Sequence, residues 1–175
     1  MKPKCYLEMD IGTSVFDNKV SDFEWSLVRF YEAFSRFVTE TGSISLGNDL
    51  KLSEHLILHI VRMQGRAKNS ATIARLMNRD DVPNIQYSLR KLETAGLIAK
   101  VRDGKSNQFA YAVTSQGQMA ASKYEDIKAA ILMDRLQEID KVPDKLDTMT
   151  RFLSILTGVY EEAARGSATI TSPLA

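Results

Sequence analysis

The segment from Ser70 to Gly117 constrains this chain more than any other, because its local signals follow one another in an order that few architectures satisfy. Ser70 can cap a short helix, Ala71 to Asn78, with Ile73, Leu76 and Met77 at its apolar positions. Arg79-Asp80-Asp81 breaks it. Pro83 suits the first turn of a second helix, where its missing N–H costs nothing, and that helix runs to Ala95 and stops at Gly96. The apolar period then changes. Ile98 and Val101 precede Asp103-Gly104, a hairpin signal, and beyond it Phe109, Tyr111 and Val113 alternate with Gln108, Ala110 and Ala112. Short helix, turn, second helix and two-stranded hairpin make the winged form of the helix-turn-helix.

The second helix is the informative one. With Ile85 at zero and 100° per residue, Leu89 and Leu92 fall within about 40° of it, a narrow core stripe. Pro83, Asn84, Tyr87, Arg90 and Lys91 lie on the other side, with Gln86 on the flank. Amides, a phenol and cations on one exposed face match base edges and phosphates. Asn84 and Gln86 are expected at base edges, and Arg90 and Lys91 at phosphates. Ser70 and Thr72, at the start of the preceding helix, can offer backbone N–H groups to a phosphate. Arg102, Lys105 and Asn107 are the corresponding candidates on the hairpin. Charge supports the same segment. Residues 62–105 hold ten Lys or Arg against four Asp or Glu, a balance of +6, between flanks of −3 (residues 1–61) and −2 (residues 106–175).

The flanks read as long helices. Residues 1–20 have no sustained period and are expected to form an arm. Ser21-Asp22-Phe23-Glu24 has capping-box spacing, and Phe23, Leu27, Phe30, Phe34 and Phe37 follow at intervals of three and four, with Gly42 as the expected stop. A face so rich in aromatics must be covered. Ser53 can cap a helix carrying Leu56, Ile57, Ile60 and Val61, and Gln64 to Asn69 reads as a turn. Thr114 and Ser115 are candidate caps for a helix from about Gln118 to Ile139. Pro143 opens a last helix in which Leu146, Met149, Leu153, Leu156, Tyr160 and Ala163 keep spacings of three and four. The expected division is an arm over 1–20, an N-terminal dimerisation helix and connection over 21–49, a winged helix over 50–117, C-terminal dimerisation helices over 118–165, and a flexible tail over 166–175.

Three runs together resemble the MarR family of bacterial regulators: Ser70-Ala-Thr-Ile-Ala-Arg-Leu-Met, Pro83-Asn-Ile-Gln-Tyr-Ser-Leu-Arg-Lys-Leu-Glu-Thr-Ala-Gly-Leu-Ile98, and Val113-Thr114-Ser-Gln-Gly117. With the long helices on either side the likeness extends over about residues 21–165. The resemblance implies a mainly α fold with a small β-hairpin wing, the winged helix being flanked by N- and C-terminal dimerisation helices. It implies a homodimer whose intertwined first and last helices use Phe23, Leu27, Phe30, Phe34, Leu146, Met149, Leu153, Leu156 and Tyr160. Two recognition helices would then meet successive major grooves of a pseudo-palindromic operator in double-stranded DNA. It also implies room for a small-molecule effector between the dimer helices and the DNA-binding lobe. The wing departs from the family's Asp-x-Arg pattern, since Ser106 and Asn107 stand about where arginines are expected; Lys105 or Arg102 would have to substitute.

Other chemistries find less support. No phosphate-cradling glycine loop, metal-ligand series or nucleophile elbow is present, so neither an enzyme nor a cofactor is expected. His55 and His59 lie four apart, as metal ligands can, but lack companions, and packing at a core edge is the favoured reading. The single cysteine, Cys5, argues against an internal disulfide framework and for an inert thiol over a redox switch. No apolar run approaches the ~18 residues of a membrane span, and a cytoplasmic protein is expected. The alternative of a different class is a winged helix that docks proteins without reading DNA sequence.

Overall fold

The computed structural model describes residues 13–46, 50–102 and 109–168. It forms two compact units, residues 1–127 and 128–175. The first unit holds helices α1 (Val15–Leu46), α2 (Leu52–Arg62), α3 (Ser70–Leu76), α4 (Val82–Thr94), strands β1 (Ile98–Arg102) and β2 (Phe109–Val113), and all but the last residue of helix α5 (Ser115–Lys128). The second holds a π-turn over Ala129–Met133, α6 (Asp134–Gln137) and α7 (Val142–Ser167).

Helix α1 begins six residues before the expected capping box. Ser14 Oγ accepts from the Asp17 amide at 3.1 Å and Thr13 donates to the Asp17 carboxylate at 2.8 Å, so the start is capped there and Ser21 becomes interior. Nor does Gly42 stop the helix. It is buried within it, and a Cβ at Gly42 would lie 2.0 Å from His55 Cε1, so the glycine lets the imidazole of α2 pack against the α1 backbone.

The other caps shift by a residue or two for identifiable reasons. Helix α2 starts from Lys51, whose amide is accepted by the Glu54 side chain at 2.8 Å, and Ser53 therefore sits inside the first turn. Asn69 rather than Ser70 caps α3, taking the Thr72 amide at 2.8 Å. Asp81 caps α4 by accepting the Asn84 amide at 3.2 Å, with Pro83 in the first turn as its fixed φ allows.

The core of this unit lies where α2, α3 and α4 meet the hairpin, with Ile57, Val61, Ile73, Ile85, Leu89, Leu92 and Leu97 buried. β1 and β2 pair antiparallel, with Ile98 opposite Val113 and Arg102 opposite Phe109. Strict alternation fails in β2, because Ala110 and Tyr111 are both buried. The reason is a third partner: Lys68 and Tyr111 exchange backbone hydrogen bonds of 3.0 and 2.9 Å, so β2 is flanked on both edges.

The Thr-x-x-Gly after the hairpin has a concrete geometry. Thr114 Oγ1 donates to the Gly96 carbonyl at 2.7 Å and accepts from the Gly117 amide at 3.0 Å. A Cβ at Gly117 would stand 2.0 Å from the Leu97 carbonyl oxygen, so only glycine allows α5 to start this close to the end of α4. Helix α5 accordingly opens at Ser115, not Gln118. The helix expected to run unbroken to Ile139 widens instead into the π-turn at Ala129.

In the second unit α7 opens with Val142 and Pro143 and continues through Gly166 to Ser167, past the expected end at 165. None of its side chains is buried, and Leu146, Met149, Phe152, Ile155, Val159 and Tyr160 are all exposed. No described helix is long and apolar enough to cross a membrane.

Candidate nucleic-acid interface

Helices α3 and α4 are joined by a sharp turn in which Asn78 takes a left-handed conformation (φ 53°) and Asp81 restarts the chain as a helix. α4 packs on α2, α3 and β1 through Ile85, Ser88, Leu89 and Leu92. The complementary face is open. Pro83, Asn84, Gln86, Tyr87 and Arg90 are all exposed, Tyr87 by 60% of its surface. This single face holds two amides, a phenol and a guanidinium within about two turns.

Asn84 of that set, and Lys91 beside it, are already engaged. The Asn84 side-chain amide donates to Asp81, the same carboxylate that caps the helix. To read a base with its N–H₂ group it must exchange this partner. Lys91 is half-buried rather than outward, and its ammonium lies 3.8 Å from Glu54 Oε2. Ser70 and Thr72 are half-buried at the start of α3, where the Thr72 amide is taken by Asn69.

On the hairpin, Arg102 is exposed at the end of β1. Lys105 and Asn107, together with Ser106 and the Asp103-Gly104 turn, lie outside the described residues, as does Cys5. Lys100 is anchored to α4 by a 3.1 Å ion pair with Glu93, its ammonium 5.9 Å from the centre of the Tyr111 ring. This ties the root of the wing to the last turn of α4.

Several polar groups that set this geometry give no periodic signal in the sequence. Glu54 is buried, and its carboxylate accepts from Ser88 Oγ of α4 at 2.6 Å. Burial opposes its ionisation, but the bonds from Ser88, the Lys51 amide and Ser53, with the Lys91 charge, hold it below the ordinary carboxylate value. Lys68 is likewise buried; its ammonium donates to the carbonyls of Val61, Met63 and Arg66 and so closes the C-terminal end of α2. Only the position of Glu54 three residues after Lys51 hints at its capping role.

The two histidines part company. His55 is buried against Gly42, and its Nε2 has no hydrogen-bond partner among the described residues. Burial holds its imidazole below the ordinary value, against the opposing effects of a Leu50 backbone bond and the Glu54 charge. His59 is half-buried edge-on to Tyr124 of α5, centroids 4.7 Å apart, with Nδ1 3.9 Å from Glu125. No group of three or more metal-ligating side chains occurs among the described residues.

An HTH pair with an open second helix and a hairpin fixed to its end is the arrangement of a winged helix. Residues 50–117 match the family described as winged helix DNA-binding domain. The overall fold of the chain is that of MarR-family transcription regulators. A MarR-family regulator from Rhodococcus sp. RHA1 aligns with a TM-score of 0.57 at 20% identity, covering 81% of this chain and 94% of that one. Reduced AbfR bound to DNA, a protein of Staphylococcus epidermidis, aligns with a TM-score of 0.63 at 16% identity over 79% and 94%. CouR from Rhodococcus jostii RHA1, bound to p-coumaroyl-CoA, gives 0.62 at 17% over 78% and 92%. Comparison with curated protein sequences gives no match.

Proposed function

We propose that the protein is a homodimeric, sequence-specific regulator of transcription that acts in the cytoplasm on double-stranded DNA. The observation that carries this reading is the open face of α4: Asn84, Gln86, Tyr87 and Arg90 stand exposed opposite a fully buried Ile85, Leu89 and Leu92. The recognition helix, residues 83–95, enters the major groove with Asn84 and Gln86 toward base edges. Arg90, Lys91, Arg102 and Lys105 meet phosphates, as do the N-terminal residues of α3, Ser70 and Thr72. The wing, residues 102–108, lies alongside, and Asn107 is its further candidate for DNA contact. A DNA-bound relative of the same fold supports this arrangement.

Two copies join through α1 and α7, whose apolar residues are too numerous and too exposed for a solitary chain. Recognition helices about 34 Å apart then meet two half-sites, which requires a pseudo-palindromic operator. A cleft of about 400 Å³ between α1, the start of α2 and the turn of the HTH, with Tyr31, Lys51, Leu56 and Arg79 in its walls, is the seat for a small-molecule effector. The ligand held by CouR supports an effector of this kind.

The test is selection of bound duplexes from a random-sequence pool, followed by sequencing. Recovery of a palindrome with half-sites one helical turn apart is the expected result. No enrichment even at low salt overturns the reading in favour of a protein-docking winged helix.

A further inference from the structure

Glu54 is 2% exposed, yet it is surrounded by groups that want a carboxylate. Oε1 accepts from Ser88 Oγ at 2.6 Å and from Ser53 Oγ at 3.3 Å, and those two hydroxyls are themselves 3.3 Å apart. Oε2 accepts from the Lys51 amide at 2.8 Å and lies 3.8 Å from Lys91 Nζ. Lys51 and Ser53 belong to the start of α2, whereas Ser88 and Lys91 are three residues apart on α4. The apolar stripe of Ile85, Leu89 and Leu92 seats α4 on the core through non-directional contacts. The short charge-assisted hydrogen bond to Ser88 is directional, because its strength falls steeply with distance and angle.

We propose that Glu54 is a positioning residue for DNA recognition: it fixes the rotation of α4 through Ser88 and holds the Lys91 ammonium where it meets a phosphate. This rests on the DNA-binding reading above. Neither group acts on a base. Glu54 acts through the helix that does, and it binds a cation whose long side chain otherwise samples many rotamers. Lys91 keeps a third of its side-chain surface open, enough to touch a phosphate while retaining its inner partner.

The experiment is a double-mutant cycle on affinity and on its salt dependence. The probes are the duplex recovered from the random pool and a scrambled duplex of equal composition. Lys91→Met in the wild-type background should lower the slope of log K against log salt by about 0.9, the loss of one phosphate contact. In the Glu54→Gln background the same substitution should change the slope little, because the ammonium is no longer held there. Ser88→Ala, a change less disruptive to folding, should leave the slope intact. It should reduce discrimination between the two duplexes by about fivefold to tenfold. Equal slope losses for Lys91→Met in both backgrounds, or undiminished discrimination by Ser88→Ala, overturn the proposal. If the wild type enriches no duplex at all, the DNA-binding reading fails and takes this inference with it. If wild-type binding is specific while the cycle is additive, only the inference fails.

Discussion

His55 is a residue whose environment disfavours the charged state. Its imidazole is buried against the α1 backbone at Gly42, and Nε2 meets no partner among the described residues, so a proton placed there would be a poorly compensated buried charge. The folded-state value is depressed while the unfolded value is about 6.5, so the unfolded chain binds the proton more tightly. Stability from this group is therefore fully present above about pH 6.5 and is lost as pH falls through and below that value. Thermal denaturation between pH 8 and 5 should show that decline, and His55→Gln, which stays neutral, should flatten it. Glu54 adds a second loss at lower pH, below the ordinary carboxylate value of about 4.3, since its own value is lowered in the fold. Gly42→Ala probes the same contact sterically. Its Cβ would overlap the ring at 2.0 to 2.5 Å, and an overpacking cost of about 1–3 kcal/mol is expected in chemical denaturation. A Gly42→Ala protein as stable as the wild type would mean that α1 and α2 separate easily.

At the scale of elements, α4 divides into a buried face that folds and an exposed face to which the proposed function assigns DNA reading. Leu89→Ala should cost about 2–5 kcal/mol of stability, because Leu89 is fully buried. Asn84→Ala or Gln86→Ala should leave the midpoint of unfolding nearly unchanged. Each should relax preference at individual base pairs by about 1–3 kcal/mol, read by competition among single-base variants of the selected duplex. Equal losses on selected and scrambled DNA would contradict those roles. This division was legible in the sequence, because a 3.6-residue period sorts Ile85, Leu89 and Leu92 from Asn84, Gln86 and Arg90 without any knowledge of neighbours. The latch of Glu54 on Ser88 was not, since a contact between residues 34 apart leaves no trace in periodicity. The α3 cap is ambiguous for a related reason: Asn69 and Ser70 are both capping residue types at the same turn, and local propensity does not rank them. In the sequence Gly42 reads equally as the end of a helix and as a close approach to one, and only the position of His55 decides between them.

For the whole molecule the governing observation is where apolar surface remains. Along α1, Val28, Phe30, Tyr31 and Phe34 are exposed, Phe30 by 68%, and on α7 Ile155 is exposed by 65%. Faces of this kind are expected to close on a second copy, giving an isologous interface. If the proposed dimer forms through these faces, Phe30→Glu combined with Phe34→Glu should turn it into a monomer by light scattering. Affinity for a two-half-site duplex should fall more than about tenfold, since a monomer offers one recognition helix. A variant that remains dimeric with unaltered affinity would place the interface elsewhere. The aromatic periodicity predicted that such faces must be covered, but not their extent, because Val15 and Phe16 precede the expected start of the helix and are exposed as well.

Lys68 has one more consequence. Its ammonium points into three backbone carbonyls at the end of α2 while its main chain pairs with Tyr111, so the amine has no open approach as long as both stay in place. Desolvation lowers its proton affinity while it stays buried, and release into water restores the reactivity of an ordinary lysine. With an amine-reactive label it should be among the slowest lysines to react in the folded protein, and its labelling rate should report the opening of the α2–hairpin junction directly.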